Sequence, residues 1–261
     1  MSRIDATFRD LRQAGKTGLI TYVTAGDPDL ERSRDILVRL DRAGADVIEV
    51  GVPFSDPLAD GPVIQRATER AIASGTTMSN VLDMVSSTRS DIKAPIVLFT
   101  YANPVLRMGL ETFVAKAKAA GVDGVLTLDV PPEESETIRA ALAKARIDTI
   151  FLLSPTTSTE RIRRASALGT GFLYGISRLG VTGARTDVAD SAQELADRVR
   201  AETGMPLALG FGLSTPEHVR AISAFADAAV VGSALVNVIA EHGQSRKLLD
   251  EVERYVRWLK T

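Results

Sequence analysis

The chain has 261 residues, 45% hydrophobic and 25% charged, an ordinary globular composition. Lys and Arg number 31 and Asp and Glu 33, so the net charge of −2 gives no bulk electrostatic reason to seek nucleic acid or an anionic membrane. With no cysteine and two histidines, His218 and His242, the chain has no disulfide, no thiolate nucleophile, no iron–sulfur or Cys-based zinc site and no His-rich metal centre. Any chemistry then rests on carboxylates, hydroxyls, backbone amides or a bound cofactor.

The first fifteen residues, MSRIDATFRDLRQAG, are amphipathic and charged, so they read as a helix and not as a secretory signal. Eight short apolar runs of strand type follow, from Gly18 (GLITYVT), Asp46 (DVIEVG), Ala94 (APIVLFTY), Gly124 (GVLTLDV), Asp148 (DTIFLL), Gly171 (GFLYGIS), Pro206 (PLALGFG) and Ala228 (AAVVGS). They are apolar on both faces, as parallel strands buried on both sides are. Helical patterns separate them at Leu30 to Ala43, twice between Pro62 and Lys93, at Phe113 to Ala120, Glu133 to Ala145, Thr159 to Leu168, Ser191 to Thr203 and Pro216 to Ser223. A closing helix runs from Ser245 to Lys260 and holds Trp258, the single tryptophan. No stretch of about 18 apolar residues is present to span a membrane, so the expected location is the cytoplasm. Eight strands alternating with helices and no linker predict an α/β chain folded as a single (β/α)8 TIM barrel over residues 1–261, with an extra N-terminal helix. An open doubly wound sheet is the competitor, and the missing GxGxxG after the first strand speaks against it.

Two connections are long, one after strand 2 (VPFSDPLADGP) and one after strand 6 (RLGVTGARTDVAD). Both follow strand C-termini, the end where barrel enzymes place their sites. In strand 2, Val47, Glu49 and Gly51 share one face and Ile48 and Val50 the other. A carboxylate against the helix layer would be buried without a partner, so Glu49 is expected to face the barrel mouth. A structural ion pair there would need a basic strand residue, and none of the eight runs has one. A catalytic carboxyl with a raised pKa is therefore the favoured reading. Asp56 and Asp60 sit in ordinary turn dipeptides on the next loop, and their place beside Glu49 makes one of them a candidate for the site. No lysine falls in a strand run, which removes a Schiff-base aldolase; two histidines and no cysteine argue against a zinc aldolase. The ends of strands 7 and 8, Gly210-Phe211-Gly212 and Gly232-Ser233-Ala234, carry the small residues that let backbone amides approach a phosphate, with Gly183 on the strand 6 loop as a third contact. Tyr22, Phe99, Tyr101, Tyr174 and Phe211 on inward positions suggest a flat apolar pocket beside it.

These residues resemble a known family. IEVGVPFSDPLADGPVIQ (Ile48 to Gln65) is similar to the signature of the tryptophan synthase alpha chain. The likeness continues in order through Thr21–Pro28, Thr100–Val105, Asp129–Ser135, Ser154–Ser158, YGISRLGVTGAR (Tyr174–Arg185), GFGLSTPEHV (Gly210–Val219) and Val230–Val236. The resemblance implies retro-aldol cleavage of indole-3-glycerol phosphate to indole and glyceraldehyde 3-phosphate, with Glu49 as acid/base and Asp60 hydrogen-bonding the indole N–H. It implies substrate contacts from Tyr22, Phe99, Tyr101, Tyr174 and Thr182, the last meeting Asp60 on loop closure. It implies phosphate binding by Gly183, Phe211, Gly212, Gly232 and Ser233. It also implies an α2β2 complex with a beta chain facing Pro53, Asp56, Asn103, Pro104 and the strand 6 loop, with pyridoxal phosphate (PLP) on that beta chain and no cofactor or metal on this one. Alternatives are a stand-alone lyase with the same site, a barrel kept as an activating module for a beta chain, and another phosphosugar isomerase barrel. Tyr22 stands where many members have Phe, and Gly175 where a larger apolar residue is common; the latter is expected to loosen the end of strand 6.

Overall fold

The computed structural model describes residues 1–176, 185–210 and 212–261, and of residues 185–191 the backbone alone. In chain order the elements are α1 (Arg3–Gln13), β1 (Gly18–Thr24), α2 (Leu30–Ala43), β2 (Val47–Gly51), α3 (Pro62–Ala73), α4 (Met78–Thr88), β3 (Ile96–Thr100), α5 (Ala102–Met108), α6 (Leu110–Ala120), β4 (Gly124–Thr127), α7 (Glu136–Ala145), β5 (Asp148–Leu153), α8 (Thr159–Leu168), β6 (Leu173–Ile176), α9 (Arg185–Glu202), β7 (Leu207–Gly210), α10 (Pro216–Ser223), β8 (Ala228–Val231), α11 (Ser233–His242) and α12 (Leu248–Leu259). The eight strands close as a parallel barrel in sequence order, β8 pairing back onto β1. Among the described residues no helix is long and apolar enough to cross a membrane.

Strand alternation sorts the side chains into two cores. The outward residues, such as Ile48, Val50, Ile96, Leu98, Leu173 and Leu209, pack under the helices in one large cluster. The inward residues Ile20, Val47, Val97, Leu126, Ile150, Phe172, Ala208, Ala228 and Val230 fill the barrel. They are joined there by Ile4 and Phe8 of α1, so the N-terminal helix plugs the end at which the strands begin. The rings of Phe8 and Phe172 lie 5.4 Å apart. That end is closed by hydrocarbon, which leaves the other end for a ligand.

The observed elements differ from the expected ones where apolar periodicity is silent. The α9 helix begins at Arg185, six residues before the expected start, because Arg-Thr-Asp-Val-Ala-Asp offers too few apolar residues to show a period. The second half of the long connection after β6 is thus helical. The short helix α5 and helix α11 were not among the expected elements. Glu133 and Glu134 fall in a 3-10 turn begun by Pro132, and α7 starts only at Glu136. Gly175 does not loosen β6: a Cβ there would lie 2.4 Å from Leu209 Cδ2 and 3.2 Å from Leu195 Cδ2, so its neighbours already fill the space.

Truncating the plug tests this account. Phe8→Ala removes a side chain that is 4% exposed. It is expected to lower the unfolding free energy by about 3 kcal/mol, read from a shift of the urea midpoint at unchanged slope.

Candidate active site

At the C-terminal end of the strands the inward ring changes character. Tyr22 of β1 is in register with Glu49 of β2, and Gly51 with Phe99 of β3. Tyr174 of β6 pairs with Leu152 and Ala208. Phe99 joins the two tyrosines, its ring 5.1 Å from Tyr22, edge to face, and 6.5 Å from Tyr174. Ile64 and Ala67 of α3 and Val236 of α11 pack on Tyr22, with Val63 and Phe99 at the margin. Tyr22, Phe99 and Tyr174, expected to line an apolar pocket, thus lie side by side. Gly51 is glycine for a local reason, since a Cβ would stand 2.1 Å from Tyr22 Oη. That hydroxyl is 3.3 Å from Thr24 Oγ1.

Glu49 is fully buried, and neither carboxylate oxygen accepts a hydrogen bond from a described residue. Burial alone raises its pKa from 4.5 to about 8. Among the described residues no cation sits beside it and it forms no ion pair. Asp60, on the loop after β2, is half-buried and raised to about 6 by burial, against the hydrogen bond from Tyr101. Tyr101 lies one residue beyond β3. Its hydroxyl donates to Asp60 Oδ2 at 3.0 Å and accepts from the Ala59 amide at 3.1 Å. The side-chain amide of Gln65 on α3 donates to the Asp60 carbonyl at 2.9 Å and to that of Pro57 at 3.4 Å, holding the loop down. Tyr22 and Tyr174 are pushed well above the usual phenol range, first by burial and then by charges that include Glu49 and Asp60. The two carboxyls and the aromatic pocket thus form one constellation.

The phosphate candidates divide. Gly232 precedes α11 and Ser233 is its first residue, with no side chain capping the helix. Within the helix the first bond is from the Val236 amide to the Gly232 carbonyl, at 3.0 Å, which leaves the amides before it pointing out of the helix end. Gly232 faces Tyr22, whose Cβ would be 3.4 Å from a side chain placed there. Gly212 adopts φ +77°, a backbone open to glycine. Thr182, Gly183 and Phe211 lie outside the described residues.

A family model described as tryptophan synthase alpha chain matches residues 8–261. The chain belongs to the tryptophan synthase alpha chain family. It is 49% identical to the tryptophan synthase alpha chain of Geotalea uraniireducens over 241 residues, 92% of this chain and 90% of that one. It is 46% identical to that of Geobacter sulfurreducens over 260 residues, 100% of this chain and 98% of that one. Among solved structures, tryptophan synthase subunit alpha from Legionella pneumophila is similar with a TM-score of 0.89 at 38% identity, covering 99% of this chain and 97% of that one. The aminoacrylate-bound form of tryptophan synthase from Mycobacterium tuberculosis is similar with a TM-score of 0.89 at 34% identity, covering 99% and 98%.

As a tryptophan synthase alpha chain family member, the protein presents its expected partner face unevenly. Asp56 and Asn103 are exposed and Pro104 half-exposed, but Pro53, two residues beyond the end of β2, is buried. Two exposed leucines accompany them, Leu58 at 92% and Leu106 at 68%. The Asp56 side chain accepts from Ser55 Oγ at 2.9 Å and stays outside the pocket, so Asp60 is the loop carboxylate that reaches the site. The sequence reading assigned no role to Gln65, Phe54 or Ile64. Phe54 stacks 5.2 Å from Tyr101, and nothing in a loop sequence signals such a contact. The i, i+5 spacing from Asp60 to Gln65 across a helix start was the available signal for the clamp. Asp129, quoted as part of a motif, accepts from the Ala102 amide at 2.7 Å and ties α5 to the loop after β4.

Glu49 sets a pH dependence of stability. Its carboxyl keeps the proton to about pH 8 in the folded state, whereas in the unfolded chain it ionises near 4.5. Between those values the unfolded state binds fewer protons, so this residue makes stability fall as pH rises. Glu49→Gln removes that cost. Its melting temperature is expected to exceed that of the unaltered protein by a margin that grows from pH 5 to pH 8 in calorimetric scans.

Proposed function

We propose that the protein is the lyase subunit of a tryptophan synthase, cleaving indole-3-glycerol phosphate to indole and glyceraldehyde 3-phosphate. The observation that carries this is Glu49, a carboxyl buried without a partner among the described residues at the mouth of the barrel, with a pKa raised to about 8 that keeps it protonated at neutral pH. The protonated carboxyl supplies the proton that the indole C3 must gain. Once C3 is protonated the ring carries positive charge at its nitrogen, and Asp60, ionised above about pH 6, accepts the N–H hydrogen bond and stabilises that charge. The Glu49 carboxylate then takes the proton of the glycerol hydroxyl. The aldehyde forms, the carbon–carbon bond breaks, and its electron pair returns to the ring to restore indole. The proton count balances, and Glu49 ends protonated. Two carboxyls whose surroundings push them to different pKa values divide the roles of acid and charge stabiliser. The aromatic pocket of Tyr22, Phe99 and Tyr174 receives the ring, and the amides at Gly232 and Ser233 receive the phosphate.

The barrel strands supply no amine for a Schiff base, in keeping with PLP residing on a beta chain and no cofactor on this one. The exposed leucines beside Asp56 and Asn103 support a beta-chain contact there, in an α2β2 assembly located in the cytoplasm.

Indole release by the purified chain, with and without a beta chain, tests the assignment. Glu49→Gln is expected to lower the rate by about a thousandfold or more while the melting curve stays cooperative. Near-native activity would refute the role of Glu49. The profile of kcat/KM against pH is expected to be bell-shaped, with limbs near 6 from Asp60 and near 8 from Glu49. Asp60→Asn should flatten the acid limb. Full activity of the chain alone, unaltered by a beta chain, would favour a stand-alone lyase.

A further inference from the structure

The barrel has a second polar concavity, at the end opposite the active site. It is a half-enclosed cleft of about 560 Å³ between α1, α6, α7 and the start of β5. Its charged lining is Arg3, Asp5, Lys118, Asp123, Arg139, Arg146 and Asp148. Two of these are committed to each other. Arg3 donates to Asp123 Oδ1 at 3.0 Å, and the other oxygen of Asp123 accepts from the Ile96 amide at 2.9 Å and lies 3.5 Å from Arg89.

Asp5 is committed as well, accepting from the Ser2 amide at 3.0 Å. Lys118, Arg139 and Arg146 make no side-chain hydrogen bond or ion pair with a described residue, and the Arg139 Nε is buried without an acceptor among the described residues. Asp148 is 8% exposed and has no cation paired with it among the described residues; the Ser2 and Thr170 side chains hydrogen-bond to its carboxylate, and its Oδ2 stays buried without a well-formed partner among the described residues. Its position is imposed by the fold. The Asp148 amide donates to the Asp123 carbonyl at 2.9 Å, and its Cβ would be 3.3 Å from any side chain at Gly171. Arg146 is likewise held, at φ +59° in the left-handed turn that ends α7. Burying a guanidinium nitrogen and a carboxylate oxygen at one concavity without ionic partners costs solvation. The neighbouring Arg3–Asp123–Arg89 cluster already ties α1 to the barrel by ion pairs.

We propose that this cleft binds a small amino dicarboxylate. Three cations without an ionic partner among the described residues, against one carboxylate without one, are complemented by two negative groups and one ammonium. Arg139 and Arg146 receive the carboxylates, with Lys118 at the rim, and Asp148 receives the ammonium. The volume is ample for a molecule of about ten non-hydrogen atoms.

The test is calorimetric titration of the full chain with L-glutamate and with glutarate, which has the same two carboxylates and no ammonium. L-glutamate is expected to bind saturably and glutarate about tenfold more weakly. Arg139→Gln should weaken both by about tenfold or more, and Asp148→Asn should erase the preference for glutamate while leaving glutarate unchanged. Should Asp148→Asn not fold, Arg146→Ala on the exposed turn carries the same expectation as Arg139→Gln. Absence of saturable heat up to about 10 mM (weaker than any specific site of this size), or glutamate binding that Arg139→Gln leaves unchanged, would overturn the proposal. Indole release by Arg139→Gln, expected unchanged, separates this outcome from failure of the active-site assignment.

Discussion

A closed ring of eight parallel strands gives each strand one decision, which alternate side chains point inward, and the rest of the molecule depends on it. The inward residues pack closely within the ring, so each must fill space or find a partner. At the starting end of the strands hydrocarbon from α1 meets the requirement, through Ile4 and Phe8. At the far end the same parity sets Glu49 among tyrosines and Phe99, with no cation among the described residues to neutralise it. The pKa of about 8 follows from that placement and not from a special neighbour. The low dielectric that makes Glu49 costly to the fold is what keeps a proton on it at the pH of the cell.

The second carboxyl is controlled differently. Asp60 lies on a loop, where position is not fixed by strand parity, and four contacts define it: the Tyr101 hydroxyl on its side chain, the Ala59 amide on Tyr101, Gln65 on its carbonyl and Phe54 against the Tyr101 ring. In the proposed reaction the strand wall would supply the acid and the braced loop the charge stabiliser, each held by contacts the other does not share.

The two ends of the barrel also differ in how they use charge. At the candidate active-site end no described cation pairs with Glu49 or Asp60. The opposite end gathers cations around Asp123 and Asp148, residues that precede or begin adjacent strands and are drawn together by the ladder from Gly124 to Asp148. Sequence separation hides this cluster, since Arg3, Lys118, Arg139 and Asp148 share no motif.

From the sequence alone, the eight strands, their two-faced burial and the inward direction of Glu49 were determined, because parity along a strand is a local property with period two. The family was determined too, since its signature is contiguous from Ile48 to Gln65. Tertiary structure alone decided that α1 plugs the barrel, that Asp60 and not Asp56 reaches the site, that Pro53 is buried and that Gly175 is filled by Leu209 and Leu195. Each of these depends on which distant residue arrives at a given point, and a helix such as α5 or the start of α9 leaves no apolar period to announce itself. Local patterning sets direction; partners come from chain closure, and only the closed ring brings Tyr101 to Asp60 and Leu209 to Gly175.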